Sequence, residues 1–311
     1  MFSHWESGWG LDFVHLLEGT RGPLGDVLAQ VLNFCGESLF FMLTLPIIYW
    51  AIDRKLGSHL IIALAASFAL GTLLKIQFQA PRPVDVDPIL ISPLWVQEGY
   101  GFPSNHVLLA VAIWGLLAIQ LRNRWLHAAF IFYVLAQMWG RVYSGVHFLH
   151  DVIGGLLFGI IALWLFLVAK EWLALRWKLW SGRTQLALII SSSLLSFIVL
   201  APNEEASAVV GLWLGCGLGI FLSEQWPGSD TAGSFRQRLI RVCLGLLLLV
   251  SFFYLSRSLF DTISQNNSPF ASILRLMRYA LTTILGLAIL PRCFAWLNLA
   301  QSAGDDRATI R

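Results

Sequence analysis

The feature that most constrains this chain is a series of long apolar runs joined by short polar loops. A helix that crosses a bilayer needs about 20 mainly apolar residues, and nine stretches come close to that length. They cover residues 34–52, 58–79, 105–121, 125–142, 150–169, 184–201, 206–223, 239–256 and 273–291. The pattern predicts an all-α fold, a polytopic transmembrane helix bundle of about nine spans.

The composition indicates the same solvent. Hydrophobic residues make up 57% of the 311 residues and charged residues 13%, whereas soluble globular chains are roughly 45–50% apolar and about 25% charged. The 14 tryptophans agree with this, because indole rings favour the membrane–water interface. The net charge of +3 is scattered between apolar runs and offers no basic face to nucleic acid. We therefore expect membrane lipids around the chain and no nucleic-acid partner.

Basic residues are distributed unequally between the two sides of the predicted bundle. With nine spans as drawn, the loops of one side hold most of the 21 lysines and arginines, among them Arg54 and Arg236. Because basic loops stay in the cytoplasm, we expect the amino terminus outside and the carboxyl terminus inside a plasma or inner membrane. Residues 1–30 lack a signal-peptide pattern, and Trp5 and Trp9 among charges predict an interfacial segment.

Three polar segments stand at the predicted outer ends of helices. They read Lys75-x6-Arg82-Pro83 at the close of the second span, Pro103-Ser104-Asn105-His106 at the opening of the third, and Gly140-Arg141-x5-His147-x3-Asp151 between the fourth and the fifth. Since all three fall on the same predicted face, we expect their side chains to lie near one another.

The basic residues of these segments point to a phosphate ligand. Lys75, Arg82 and Arg141 bring three positive charges together. The planar fork of arginine suits phosphate, and lysine adds a point charge. Ser104 and Asn105 stand where a helix begins, and the unpaired amides and positive dipole of a helix start favour an anion. Phosphate is the anion that this set of residues predicts.

The histidines supply the chemistry that such a site needs. One of His106 and His147 is suited to attack phosphorus while the other protonates the leaving oxygen. Asp151, four residues after His147, can reach back to that ring and fix its tautomer. Each residue alone has a plainer explanation, such as an N-cap for Ser104 or a snorkelling side chain for Lys75. Seven suitable residues at three consecutive helix junctions favour a joint site.

In order and spacing, the three segments resemble the signature of the type-2 phosphatidic acid phosphatase superfamily. Its parts are Lys-x6-Arg-Pro, Pro-Ser-Gly-His and Ser-Arg-x5-His-x3-Asp. The nine-span plan is similar to that of sphingosine-phosphate-phosphatase-like members. The resemblance implies a phosphatase core over residues 31–170, after the interfacial segment 1–30. Residues 171–311 form an accessory transmembrane bundle in which we read no motif.

The resemblance also implies a role for each matching position. His147 is the nucleophile that forms a phosphohistidine, Asp151 orients it, and His106 is the general acid and then the base. The implied phosphate-binding residues are Lys75, Arg82, Ser104, Asn105 and Arg141. No metal and no cofactor are implied, and the sequence has no dense carboxylate or Cys/His cluster of ligand type.

Two positions depart from the signature. Asn105 replaces a glycine and Gly140 replaces a serine. Asparagine tolerates a positive φ if the position needs one, although its side chain could crowd the phosphate. His150 does not fit the signature spacing, and we interpret it as an interfacial residue. The four cysteines lie in or beside apolar runs without a CxxC spacing, which predicts packing residues.

We therefore expect a metal-independent, membrane-embedded phosphatase that hydrolyses a lipid phosphate monoester or diphosphate at the non-cytoplasmic face. The stretch 85–100 predicts an apolar lip for the lipid, formed by Ile89, Leu90, Ile91, Leu94 and Trp95. Phosphatidate, a phosphorylated glycerolipid, a sphingoid phosphate and a polyprenyl diphosphate all fit. The alternatives are a lipid phosphotransferase on the same scaffold and a non-catalytic transporter or scaffold. The oligomeric state is left open.

Overall fold

The computed structural model describes residues 6, 8–89, 91–200, 204–225, 231–264 and 269–300. Within these ranges the chain is helical and contains no β-strand, which confirms the all-α prediction. The α-helices are α1 (Trp9–Glu18), α2 (Pro23–Phe34), α3 (Ser38–Ile47), α4 (Arg54–Phe78), α5 (Pro83–Val86), α6 (Asn105–Leu109), α7 (Gly115–Leu121), α8 (Arg124–Tyr143), α9 (Leu149–Leu179), α10 (Gly182–Leu200), α11 (Glu204–Gln225), α12 (Phe235–Ile263), α13 (Pro269–Ile284) and α14 (Leu290–Trp296). Three π-helical segments, Ile48–Ile52, Ala110–Trp114 and Leu285–Ile289, continue α3, α6 and α13.

Local sequence explains several of the helix ends. Pro23 occupies the first turn of α2, where its missing N–H costs no hydrogen bond. Asn123 precedes α8, and its side-chain oxygen accepts from the Trp125 N–H at 2.8 Å. Ser234 and Gln237 form a reciprocal capping box before α12. Such caps satisfy backbone groups that a helix leaves unpaired at its ends.

Six helical segments among the described residues are long and apolar enough to cross a membrane, and the bent pair α2–α3, with a break of 62°, is a possible seventh. The chain is therefore an integral membrane protein. Each of the nine predicted stretches overlaps a helix, but the count of nine is not confirmed. The helix over residues 105–121 has 17 residues. At 1.5 Å per residue it is about 25 Å long, which is shorter than the roughly 30 Å hydrocarbon core of a bilayer. In α8, polar residues such as Gln137 lower the hydropathy.

The amino-terminal region is more regular than an interfacial segment requires. It contains two helices, α1 and α2, and α2 belongs to the bent pair with α3. Trp5, on which the interfacial interpretation partly rested, lies outside the described residues. Val14 of α1 is fully buried and packs in a cluster with Val107, Val142 and Phe148. Val107, Val142 and Phe148 directly follow His106, Arg141 and His147 of the polar segments in the sequence.

The chain forms two compact units. The first comprises residues 1–41 and 70–169, and it contains all three polar segments. The second comprises residues 42–69 and 170–311. Within the second unit, Tyr49 and Trp50 donate hydrogen bonds to the carbonyls of Leu287 and Gly286 at 2.9 and 2.8 Å. The functional division at residues 30 and 170 stays a prediction.

Candidate active site

A buried histidine and aspartate form the centre of the site. His147 lies in the loop between α8 and α9, and its side chain is 2% exposed. Asp151 stands in the first turn of α9 and is fully buried. The Oδ2 atom of Asp151 lies 3.1 Å from Nδ1 of His147 and accepts the Phe148 N–H at 2.9 Å. The four-residue spacing at a helix start therefore brings the two side chains into hydrogen-bond contact, as the sequence predicted.

The other ring nitrogen of His147 faces a guanidinium. Nε2 lies 3.3 Å from Nη1 of Arg82. A guanidinium only donates, so Nε2 accepts with its lone pair and the ring proton sits on Nδ1, facing Asp151. Burial, together with the positive charges of Arg82, Arg141 and Lys75, holds the pKa of His147 well below its ordinary value of 6.5. The ring is thus a neutral imidazole whose lone pair points toward the basic residues.

Backbone carbonyls of one loop hold two of the cations. Arg82 is 2% exposed, and its Nε donates to the Gly99 carbonyl at 2.7 Å. Its Nη2 donates to the carbonyls of Glu98 and Tyr100 at 3.2 and 3.1 Å. Lys75, in the last turn of α4, donates through Nζ to the same Tyr100 carbonyl. The carbonyls of residues 98–100 therefore hold both cations in place.

Arg141 is held by neutral partners as well. It is 1% exposed, and its Nη1 and Nη2 donate to Asn33 Oδ1 at 2.6 Å and to Gln97 Oε1 at 2.8 Å. Its guanidinium lies over the Trp95 ring, 5.6 Å from the centroid. Its Nε is buried without a hydrogen-bond partner among the described residues. One donor of this cation is therefore available for a ligand.

Ser104 precedes α6 but does not cap it. Its side chain makes no capping hydrogen bond, and its buried Oγ has no partner in the described part of the chain. Its backbone N–H donates to the Asp151 carbonyl at 3.0 Å. The plain N-cap explanation is therefore wrong, and the second polar segment is joined directly to the third.

Asn105 stands at the start of α6 with its side chain against α4. It is the first residue of α6, so its backbone is helical and needs no positive φ. Its side chain lies against Gly71 of α4, where an added Cβ would come within 2.0 Å of Asn105 Oδ1. The bare backbone of Gly71 thus accommodates the asparagine that replaces the signature glycine.

His106 packs against the break between α2 and α3. A Cβ on Gly36 would lie 2.0 Å from Cδ2 of the His106 ring. Its Nε2 lies 3.7 Å from Oε1 of Glu37, which is beyond hydrogen-bond distance, and has no hydrogen-bond partner in the described structure. The second histidine therefore faces a carboxylate that the sequence pattern did not include.

Four polar residues near the site were missed by the sequence reasoning: Asn33, Glu37, Gln97 and His150. The first three lie outside the motifs and carried no local signal. His150 is buried, with its Nε2 3.3 Å from Asp151 Oδ1 and its ring stacked 5.3 Å from Phe148. It therefore packs beside Asp151 inside the protein, and its depth in the membrane stays a prediction. Its position beside Asp151 in the sequence was the available signal.

The expected apolar lip takes a different form. Ile89 is 91% exposed, whereas Ile91 is buried in the core of its unit. Leu90 lies outside the described residues. Trp95 covers Arg141 and also lines a pocket of about 440 Å³ beside Arg82. Among the described residues, no three His, Cys, Asp or Glu side chains are grouped as metal ligands.

Comparisons with known proteins place this site in a family. Residues 56–174 match the PAP2 superfamily, and residues 207–302 match the transmembrane extension of PAP2 superfamily phosphatases. Dihydrosphingosine 1-phosphate phosphatase YSR3 of Saccharomyces cerevisiae is 33% identical over 162 residues, which are 48% of this chain and 40% of that protein. Sphingosine-1-phosphate phosphatase 2 of Homo sapiens is 31% identical over 143 residues, 44% of this chain and 35% of that protein.

The aligned region thus spans less than half of the length of these relatives. Among solved structures, the crystal structure of Aquifex aeolicus LpxE is 28% identical and covers 50% of this chain and 93% of that chain, with a TM-score of 0.45. The two family matches together include the three polar segments and most of the helices that follow them. The chain belongs to the PAP2 superfamily.

Proposed function

We propose that this protein is a metal-independent phosphatase of lipid phosphates that acts through a phosphohistidine on His147. One observation carries the proposal. The His147 ring lies between Asp151, 3.1 Å from Nδ1, and Arg82, 3.3 Å from Nε2. This arrangement leaves a neutral, oriented lone pair next to a cation that binds phosphate, which is what a nitrogen nucleophile at phosphorus requires.

In the first step, Nε2 of His147 attacks phosphorus and the bond to the leaving oxygen breaks. His106 donates the proton that the leaving oxygen takes up. The His147 ring becomes positively charged as the N–P bond forms, and Asp151 stabilises that charge. In the second step, water attacks phosphorus, the N–P bond breaks, and His106 takes a proton from the water. Both histidines thereby return to their starting states.

The phosphate is held by the surrounding donors. Lys75, Arg82 and Arg141 neutralise the charge spread over its equatorial oxygens. The Ser104 hydroxyl and the Asn105 N–H, at the start of α6, complete the set. Support comes from the buried Ser104 Oγ and Arg141 Nε, because neither has a hydrogen-bond partner in the described residues. A buried polar atom without a partner is costly, and a bound phosphate removes that cost.

The substrate proposed is a phosphorylated lipid, with sphingoid phosphates first in rank. Two relatives of this chain are named as phosphatases of sphingosine or dihydrosphingosine phosphate. The site is built at helix ends within a chain of membrane-spanning helices, so it lies near the bilayer surface. From the distribution of basic loops, we place the site on the non-cytoplasmic face, with the amino terminus on the same side and the carboxyl terminus in the cytoplasm.

The test is phosphate release by the detergent-purified full-length protein in excess EDTA. The substrates are dihydrosphingosine phosphate, phosphatidate and a polyprenyl diphosphate, and His147→Ala is assayed in parallel. We expect release by the wild type and a loss of at least about 1,000-fold in the variant, because the nucleophile is gone. His127→Ala is the matched control, since this half-buried histidine at the start of α8 is hydrogen-bonded to the Asn123 carbonyl and not to a site residue.

Acid quenching during turnover adds a direct readout, since a phosphohistidine on the peptide that contains His147 can be detected by mass spectrometry. Activity that disappears in EDTA and returns with a divalent cation would contradict metal independence. Activity retained by His147→Ala would contradict the assignment of the nucleophile. Absence of release from every substrate would contradict the proposed function.

A further inference from the structure

The break between α2 and α3 is fixed onto the site by several hydrogen bonds. Gln137 Nε2 donates to the Leu32 carbonyl at 2.8 Å, and the Tyr133 hydroxyl donates to the Cys35 carbonyl at 3.2 Å. Asn33 Oδ1 accepts from Arg141 at 2.6 Å. These contacts place residues 33–37 against α8 and the start of α6. Residues 33–37 themselves precede the region that matches the PAP2 superfamily, residues 56–174.

This break brings a single carboxylate to His106. Gly36 lies against the imidazole ring so closely that any side chain there would collide with it. The next residue, Glu37, has its Oε1 3.7 Å from Nε2 of His106, and its side chain is 47% exposed. The His106 side chain is only 11% exposed. Glu37 therefore contacts both the histidine and the solvent.

The charges around His106 make this carboxylate significant. The charged and titratable groups that act on the ring are Glu37 from the break, Arg141 from α8 and His147 from the loop before α9. Burial of the ring disfavours a proton on His106 most strongly, and the like charge of Arg141 adds to this. Glu37 alone supplies a negative charge. A general acid must carry its proton when the substrate arrives, so the site needs such a counter-charge.

We infer that Glu37 is a positioning residue whose carboxylate, facing Nε2 of His106, favours the protonated ring that the first step needs. This inference rests on the proposed function. The carboxylate stays ionised throughout, while the proton passes from Nε2 to the leaving oxygen and returns from the attacking water. The amino-terminal region thus completes the site formed by the family domain.

The test compares Glu37→Gln, Glu37→Asp and the wild type in pH profiles of kcat and kcat/KM. We expect Glu37→Gln to lower kcat about three- to tenfold at pH 8 and to leave KM within about threefold, because the phosphate-binding residues are untouched. Its alkaline limb moves to lower pH by about half a unit to one unit, the shift expected for loss of a partly exposed ion pair. Glu37→Asp keeps the charge and recovers most of that shift. Asp12→Asn, which removes an exposed carboxylate of α1 away from His106, is the matched control.

A measurement without turnover separates this inference from the proposed function. Histidine labelled with 13C is titrated by NMR in detergent, and the His106 signal is assigned by its absence in His106→Gln. We expect His106 to lose its proton at lower pH in Glu37→Gln than in the wild type. If the titration midpoint of His106 and the alkaline limb of the pH profile are the same in the wild type and in Glu37→Gln, the inference is overturned, even when the wild type is active. An inactive wild type with the expected shift in the His106 titration would instead contradict the proposed phosphatase activity and not the role of Glu37.

Discussion

Replacing Asp151 with asparagine tests the central contact of the site. The carboxylate accepts from His147 Nδ1 at 3.1 Å and from the Phe148 N–H at 2.9 Å. An amide oxygen in the same place can accept both hydrogen bonds, so the tautomer and the loop are retained. What the variant loses is the negative charge that faces the ring as the N–P bond forms. Asp151→Asn therefore isolates an electrostatic contribution from a geometric one.

The distance sets the size of the expected effect. Two unit charges 3.1 Å apart interact by about 5 kcal/mol at an effective dielectric constant of about 20. If roughly half to two thirds of the charge has developed in the transition state, the loss is about 3 to 4 kcal/mol. Each 1.36 kcal/mol corresponds to a factor of about ten. We therefore expect kcat to fall about 100-fold to 1,000-fold, while KM stays within about threefold.

The assay is steady-state phosphate release from dihydrosphingosine phosphate in mixed micelles, with thermal unfolding measured on the same preparations. Asp26→Asn is the matched control, because this carboxylate accepts from the Tyr143 hydroxyl at 2.9 Å and has no contact with His147. A folded Asp151→Asn protein that keeps more than a tenth of the wild-type kcat would refute the reasoning. A loss that appears mainly in KM would do the same.

Two further predictions concern protonation and packing. Because burial and neighbouring cations lower the pKa of His147, its neutral, nucleophilic form persists down to pH values below 6.5, and protonation removes activity only below that. The 13C-histidine titration, assigned with His147→Ala, checks this, and a midpoint at or above 6.5 would contradict it. Gly71→Ala places a methyl group 2.0 Å from Asn105 Oδ1 and is expected to destabilise the protein by about 1–3 kcal/mol. Adding Asn105→Gly to the Gly71→Ala protein relieves the clash. Gly182→Ala serves as the control, because a methyl group there has nothing nearer than 3.6 Å. Equal melting temperatures for the two alanine variants would disprove the packing argument.

The sequence was sufficient for those features that depend on local spacing. His147 and Asp151 meet because residues four apart share a face at the start of α9. Lys75 could be placed because it stands in the last turn of a long apolar helix. The count of spans was less secure, because the helix over residues 105–121 and α8 differ from ideal spans in length or hydropathy. Apolar length alone does not separate a full span from a shorter helix packed inside the bundle.

Contacts between distant segments could not be predicted in the same way. Glu37 and Asn33 reach the site because α2 and α3 meet at a 62° break, and nothing in their own sequence records the angle. In the same way, the contact between the Asn105 side chain and Gly71 joins residues 34 positions apart, and the local sequence around Asn105 does not indicate it. A sequence motif cannot indicate which backbone carbonyls bind a side chain, because every residue has one. Their role at Arg82 therefore became visible only in the folded chain.

Those carbonyls explain how a site with three cations can be stable without its ligand. Arg82 and Lys75 donate to the carbonyls of residues 98–100, and Arg141 donates to two amide oxygens. Such neutral acceptors satisfy these donors, and hydrogen bonds to an ionised acceptor are about twice as strong. Under the proposed function, a phosphate bound to these donors exchanges neutral acceptors for an ionised one. The cations are then already positioned for the charge that develops at phosphorus.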